Sequence, residues 1–342
     1  MSLRKKLSIL LSTKKEDSAC NSIEISAVKS CSIRCEYCPQ DQLIKASKEK
    51  NSNLVNINYE IFSKSISNIE SSGDFHVHWT GYSEPCLNKN FPEMVNLAQY
   101  KGFIQEISTT LVGHQRCIDY LSNSTAFSHI GLHLPDNSGL MEHGSLKVNK
   151  KYLDNLKIFL DNRLELMNEG CKTVVNSQTF GSDYHPEIKK IIEKQKYKNL
   201  FRDINVRKAL HSRSGGVRPI INLRIGIKKV LKKGESLNSK ILNFFLKKLK
   251  FKLYYCSYKR LKQPVLLGNG DLNICCMDYG LRSIIGNLTE ANINEIYRTW
   301  EQNYGESFSN GTYKPCNKCE YYELVNIQIL LKIILKKIFQ KK

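Results

Sequence analysis

Cys31, Cys35 and Cys38 put three thiols inside "CSIRCEYC", at a spacing of Cys-x3-Cys-x2-Cys. A disulfide takes two thiols, and a structural zinc ion usually takes four ligands. Three thiols on one tight loop suit a centre that keeps a coordination position for something else. A 4Fe–4S cluster has four irons and usually four thiolate ligands. With only three thiolates, one iron is left open to a chelating small molecule.

A molecule with an amine and a carboxylate can chelate that iron, and S-adenosylmethionine (SAM) carries both on its methionine end. Its sulfonium would then lie beside the cluster. One electron from the reduced cluster cleaves the sulfonium bond and gives a 5′-deoxyadenosyl radical. The cofactor supplies such chemistry; the protein orients it and excludes water.

A second group of thiols lies far downstream: Cys256, the adjacent Cys275 and Cys276, and Cys316 and Cys319 in a Cys-x2-Cys arm. Neighbouring residues on a strand point to opposite faces, so one of the adjacent pair should bind and the other pack. Four thiols with one Cys-x2-Cys arm read as a structural zinc site or as a fully ligated cluster. Twelve cysteines in this chain argue for metal ligation or redox chemistry over a disulfide framework. Cys20, Cys86, Cys117 and Cys171 stand singly and read as small core residues.

The elements that must position these loops alternate along residues 23–211. "SIEISAV", "DFHVHWTG", "FIQEISTT", "FSHIGLHLP", "KTVVNSQTF" and "INVRKALHS" read as strands. Helical patterns fall between them, among them "NYEIFSKSISNIES", "NFPEMVNLAQYKG" and about 115–123, 149–168 and 185–196. Repeated βα units imply a parallel sheet covered on both faces. The expected fold class is α/β: a partial (β/α)6 TIM-like barrel, with its chemistry on the loops after the strand ends. The three-cysteine loop follows the first strand, where that rule places an active site. His76 and His78 alternate on the second strand and read as barrel-lining residues without a ligand role. Beyond residue 253 the texture changes: a hairpin around Gly-Asn-Gly-Asp, a short helix in "NINEIYRTWEQ" and a metal knuckle in "KPCNKCEYY" form a small cysteine-rich α+β domain.

"CSIRCEYC" resembles the signature of the radical SAM superfamily, Cys-x3-Cys-x-aromatic-Cys, with Tyr37 as the aromatic. "HWTGYSEPCLN" is similar to the superfamily's Gly-Gly-Glu-Pro-like turn. The resemblance implies that Gly81 and Ser83 form the turn and that Glu84 holds the SAM ammonium. Tyr82 and Ser83 stand where a double glycine would continue. It also implies SAM contacts near later strand ends, for which His133, Asp136, Asn176 and Arg213 are candidates. The run from Cys256 to Cys319 resembles a SPASM-type auxiliary-cluster domain. That likeness implies a second 4Fe–4S cluster on Cys256, Cys275, Cys316 and Cys319; Cys275 is chosen over Cys276 because it keeps the Gly270-x4-Cys spacing. The full SPASM pattern has seven cysteines, and this chain lacks the extra downstream ones. The two likenesses together cover residues 20 to about 322.

The organisation expected from this reading is a basic N-terminal segment (1–20), the radical SAM core (21–214), a basic apolar connector (215–253), the cluster domain (254–322) and a basic C-terminal helix (323–342). The implied partners are an external one-electron reductant and an unidentified substrate: a peptide, a sugar or a lipid-linked sugar. A formal net charge of +20 points to an anionic partner. Lysines concentrate at 228–252 and 332–342, which makes an anionic membrane surface a candidate. No RNA-binding module is recognised, so nucleic acid is disfavoured. The alternatives are an RNA-modifying radical SAM enzyme and a non-enzymatic zinc-stabilised adaptor. No run approaches the roughly 18 apolar residues of a membrane span, and the short "LSILLS" patch lacks a cleavage site. The expected location is the cytoplasm, with peripheral attachment at the inner membrane face if the basic tail binds lipid.

Overall fold

The structure, a computed structural model, describes residues 3–12, 20–49, 55–70, 74–181, 183–207, 213, 253–258, 260–317 and 319–325. Its centre is six parallel strands paired in sequence order: β1 (Ser22–Ile25), β2 (His76–Trp79), β3 (Ile104–Thr109), β4 (Phe127–His133), β5 (Val174–Phe180) and β6 (Phe201–Arg207). Helices make the crossovers. After the N-terminal helix α1 (Leu3–Leu11), α2 (Gln40–Glu49) and α3 (Tyr59–Ser67) join β1 to β2. Then α4 (Phe91–Tyr100), α5 (Gln115–Asn123), α6 (Lys150–Asn168) and α7 (Pro186–Ile192) follow β2, β3, β4 and β5. This is the partial (β/α)6 barrel that the repeated βα units lead one to expect.

The alternation of side chains along each strand sorts the two faces. Ile23, Ile25, Val77, Trp79, Ile107, Ile130, Leu132 and Val175 are buried against the helices. Trp79 is wedged between Phe62 of α3 and Phe91 of α4, each 5.3 Å between ring centres. Its indole N–H donates to Gln105 Oε1 at 2.9 Å. Burying each such side chain contributes about 1.5–3 kcal/mol. The opposite, concave face carries Glu24, His76, His78, Glu106, His129, Asn176 and Gln178. The barrel lumen is therefore polar.

The cysteine-rich segment joins the same sheet. β8 (Val265–Leu266) pairs in parallel with β1, with Glu24 and Ser26 N–H donating to the carbonyls of Pro264 and Leu266 at 2.8 and 2.9 Å. β9 (Asp271–Asn273) and β10 (Ile284–Asn287) continue it as antiparallel neighbours, giving nine strands in the order β10-β9-β8-β1-β2-β3-β4-β5-β6. β7 (Tyr254–Cys256) and β11 (Tyr322–Leu324) pair separately, and α8 (Ile293–Asn310) lies between them in sequence. α1 packs on α8 and β7. Ser12 Oγ accepts from Cys256 N–H at 2.7 Å, so the N-terminal helix holds the strand that carries Cys256.

Four boundaries differ from the sequence expectation. β6 begins at Phe201, three residues before "INVR". α8 runs to Asn310, well past "NINEIYRTWEQ", because Phe308 continues its buried stripe. Glu323 and Leu324, expected to open the C-terminal helix, belong to β11. The N-terminal segment, read only as basic, carries α1, which takes in residues 7–11 of the "LSILLS" patch. The basic stretches 214–252 and 326–342, where the lipid-facing surface is expected, lie outside the described residues. Among the described residues, no helix is long and apolar enough to cross a membrane.

Candidate active site and cysteine-lined cavity

The three-cysteine loop begins where β1 ends. Cys38 N–H donates to Cys35 O at 2.9 Å, and Arg34 between the first two thiols has φ 53°. A non-glycine residue in that region costs about 1–3 kcal/mol, and such strain gathers at functional sites. The segment after β4 lies over the loop. Glu36 N–H donates to Leu140 O at 2.9 Å and Ser145 N–H to Ser32 O at 3.0 Å. Gly144 makes this approach possible: a Cβ there would sit 1.9 Å from Ser32 O, and its φ is 59°. Gln40, buried at the start of α2, ties the loop together. Its Oε1 accepts from Cys31 N–H at 3.3 Å, and its Nε2 donates to Cys38 Sγ at 3.7 Å and to Tyr82 O. Tyr279 OH also reaches Cys38 Sγ at 3.7 Å.

Burial pushes the Cys31 thiol up to about 11. Burial also raises Cys35, and the neighbouring Cys38 and Cys31 raise it further. Three thiols packed on one loop fit a shared metal centre, whose charge would deprotonate a coordinating thiol outright. All twelve cysteines are free of disulfides. The donor set and its packing thus fit a cluster held by Cys31, Cys35 and Cys38.

The "GYSEP" turn lies directly against this loop. Gly81 has φ 57°, and a Cβ would stand 3.0 Å from the Ser26 backbone. Ser83 Oγ accepts from Val28 N–H at 3.2 Å. Glu84 differs from its expected role. Its carboxylate accepts from Thr110 N–H at 2.6 Å, Thr110 Oγ1 at 2.8 Å, Thr109 Oγ1 at 2.7 Å and Cys86 N–H at 3.3 Å. An ionised carboxylate has about four acceptor sites, so these bonds fill it. Burial nonetheless pushes its pKa above the usual carboxylate range. Glu84 therefore locks the turn to the end of β3. Glu84→Gln offers one oxygen in place of two and turns an NH2 toward one pair of these donors. It should lower folding stability by about 1–3 kcal/mol in urea denaturation; an unchanged midpoint would mean the carboxylate does not tie turn to strand.

The remaining expected contacts fall in four places. Tyr37 stacks obliquely on Phe180 at 4.8 Å, and Phe180 meets His133 edge-on at 6.2 Å. The His133 ring is bonded to Gln178, and burial followed by the Arg207 and Arg213 charges pushes its pKa down to about 3, so it is neutral. Asp136 is taken up by its own turn, accepting from Ser138 N–H at 2.9 Å and Met141 N–H at 3.3 Å. It shapes the segment that covers the cysteine loop, which corrects the expectation of a direct contact. Asn176 is also corrected. β5 runs on to Phe180, about 13 Å further at 3.3 Å per residue, so Asn176 belongs to the lumen floor. With its amide oxygen facing them, it accepts from His129 Nε2 at 2.9 Å and Arg202 Nη2 at 3.0 Å. Arg213 does lie at the rim: its guanidinium stands 5.8 Å from the Tyr279 ring, and Nη1 is 3.5 Å from Cys276 O.

Cys256, Cys275, Cys316 and Cys319 line a single cavity, together with Arg260 and Asp278. Cys276 is outside it, buried among Leu43, Tyr82, Tyr279 and Leu281. Met277 N–H donates to Cys275 Sγ at 3.4 Å. Burial raises the Cys316 thiol, and Cys256 and Cys319 raise it further. The cavity-lining Arg260 keeps a buried Nε with no partner among the described residues. The guanidinium itself is paired with Glu24 at 3.3 Å, so the fit rests on the four converging thiols, a donor set that suits a fully ligated cluster or a structural zinc ion.

Tyr82 joins the two sites. Its hydroxyl lies 2.8 Å from Cys275 O and 3.1 Å from Asp278 O, accepts from Asn273 Nδ2 at 2.6 Å, and its ring meets Tyr279 edge-on at 4.6 Å. The residue that interrupts the expected double glycine is thus the anchor to the downstream cysteines. Sequence reasoning missed Gln40 and Tyr279, and it placed "STT" at 108–110 at a strand end on the rim without Glu84 as the partner of Thr109 and Thr110. Only Gln40, two residues after Cys38, carries a positional hint.

No protein-family model matches the chain, and no curated protein sequence does. Among solved structures, SuiB of Streptococcus suis aligns at TM-score 0.51 and 12% identity, over 93% of this chain and 74% of that one. BtrN in complex with AdoMet and 2-DOIA aligns at TM-score 0.47 and 12% identity, over 90% of this chain and 94% of that one. The likeness to SuiB is one of fold, in line with the partial barrel expected from the repeated βα units.

Proposed function

We propose that this chain is a radical SAM enzyme with one auxiliary 4Fe–4S cluster. One observation carries the reading: the Cys31, Cys35 and Cys38 loop and the Gly81–Glu84 turn meet at the C-terminal ends of β1 and β2. That is where a barrel of this kind does its chemistry. When bound, a cluster and SAM would supply a 5′-deoxyadenosyl radical through one-electron cleavage of the sulfonium, the electron coming from an external reductant. Cys31, Cys35 and Cys38 would hold the first cluster, leaving one iron for the methionine end of SAM. The carbonyls of the Gly81–Ser83 turn would accept from its ammonium, and Glu84 would hold that turn in place. Gln40 and Tyr279 would donate to the Cys38 sulfur. Cys256, Cys275, Cys316 and Cys319 would hold the auxiliary cluster. The substrate, from the peptide, sugar or lipid-linked sugar classes, would enter the polar lumen and lose a hydrogen atom there.

The test is anaerobic reconstitution with iron and sulfide, followed by reduction in the presence of SAM. The expected result is a brown protein that converts SAM to 5′-deoxyadenosine and methionine without added substrate. A colourless zinc protein that leaves SAM intact would overturn the reading in favour of an adaptor.

A further inference from the structure

The floor of the lumen holds a second cluster of donors, apart from both cysteine sites. β2 and β3 run side by side with His76 opposite Ile104 and His78 opposite Glu106. Strand alternation sends His76, His78 and Glu106 to the same concave face. His76 Nδ1 lies 3.3 Å from Glu106 Oε1, and His78 Nδ1 lies 3.2 Å from Glu106 Oε2. A donor atom from each of the three residues lies within 4.8 Å of the others. The two imidazole rings are nearly parallel, 14° apart with centres at 5.9 Å.

The two histidines meet different oxygens of Glu106 at hydrogen-bond distance, and a bound ion would replace those contacts by drawing both imidazoles and the carboxylate onto itself. Zinc takes imidazole nitrogen at about 2.0–2.1 Å and carboxylate oxygen at about 2.0–2.2 Å, so neighbouring ligand atoms of a tetrahedral shell stand about 3.3 Å apart. Two imidazoles and one carboxylate with an open fourth position are a set that binds divalent first-row ions. All three side chains are partly exposed, at 32%, 17% and 31%, so an ion can enter. His129, held by Asn176, also faces Glu106 from β4.

We propose that His76, His78 and Glu106 form a binding site for a divalent transition-metal ion on the floor of the lumen, distinct from both cysteine sites. The reading does not depend on the radical chemistry proposed above. It replaces the expectation that the two histidines only line the barrel.

The experiment uses the full chain with its cysteine sites loaded with iron and sulfide, dialysed against zinc and then against zinc-free buffer. Metal content and zinc X-ray absorption are read for the parent chain, for the His76→Ala, His78→Ala double variant and for Glu106→Gln. The parent should retain one zinc per chain beyond its iron. Its absorption should show nitrogen and oxygen neighbours near 2.0 Å, imidazole scattering and no sulfur near 2.3 Å. The double variant should lose that zinc with its iron content unchanged, and Glu106→Gln should weaken retention at least tenfold. A parent that retains no zinc, a sulfur shell around the zinc, or equal retention in the double variant would each overturn the proposal. If reconstitution itself fails, the iron-free chain is read by difference: the parent should hold one more zinc than the double variant, with imidazole scattering that the variant lacks, and equal zinc content would overturn the proposal.

Discussion

Replacing Cys31, Cys35 and Cys38 together by alanine is expected to halve the iron of the reconstituted chain, from about eight to about four atoms, and to abolish 5′-deoxyadenosine formation. The three thiols lie within eight residues of one packed loop, and Cys38 and Cys31 both push the Cys35 thiol up. The four thiols of the other cavity lie on different elements: Cys256 ends β7, Cys275 follows β9, and Cys316 and Cys319 follow α8. The loop's shape should survive the change. It is held by backbone bonds to Leu140 and from Ser145, and by Gln40 Oε1 on the Cys31 N–H, none of which uses a sulfur. The auxiliary site should therefore keep its own iron. Iron and sulfide assays check this, with circular dichroism as the measure of folding. Unchanged iron would remove the three-cysteine loop as a cluster site; a folded variant with no iron would mean that the second cavity holds no cluster by itself.

Tyr82→Ala should be the most destabilising single change near the two sites, lowering stability by about 3–5 kcal/mol, the range for truncating a buried aromatic side chain. Tyr82 is 2% exposed. Truncation opens a cavity against Tyr279 and leaves the Cys275 carbonyl without the phenol. Tyr82→Phe keeps the packing and removes only the hydroxyl, for about 1–3 kcal/mol. Because the ring sits between the turn and the Cys275 backbone, Tyr82→Ala should also speed iron loss from both sites on exposure to a chelator. Denaturant midpoints and chelation rates of the two variants provide the comparison. If Tyr82→Ala falls within about 0.5 kcal/mol of the parent, as for an ordinary surface change, Tyr82 does not join the sites.

The barrel was legible because its signals are local. Alternation in "HVHW" and "IQEIST" reports which residues face helices and which face the lumen, whatever else the chain does. β6 was displaced in the reading because "FRDINVR" is mostly exposed and charged, so it lacks an apolar rhythm. The three thiols of the first loop could be found by spacing alone. What surrounds them could not. Thr109 and Thr110 reach Glu84 from 25 and 26 residues away, and Tyr82 meets Cys275 across 193. A glutamate in a turn reads the same whether its oxygens are free or filled. The sequence shows the interruption of the double glycine, but only packing shows that the intruding tyrosine has a partner. The placement of Cys275 inside the cavity and Cys276 outside it likewise depends on how the turn after β9 leaves the sheet.

The parallel pairing of β8 with β1 also bears on how the chain avoids sticking to itself. β1 is short and carries Ile23 and Ile25, both fully buried. Without β8, its Glu24 and Ser26 N–H groups would face water as an open, apolar sheet border, which is a template for association with other chains. The downstream segment closes that border and moves the sheet's free margin out to β10, whose residues are only half buried. The cysteine-rich region is thus a cover for the barrel as well as a holder of thiols. A barrel cut free of it would have a reason to aggregate that has nothing to do with iron.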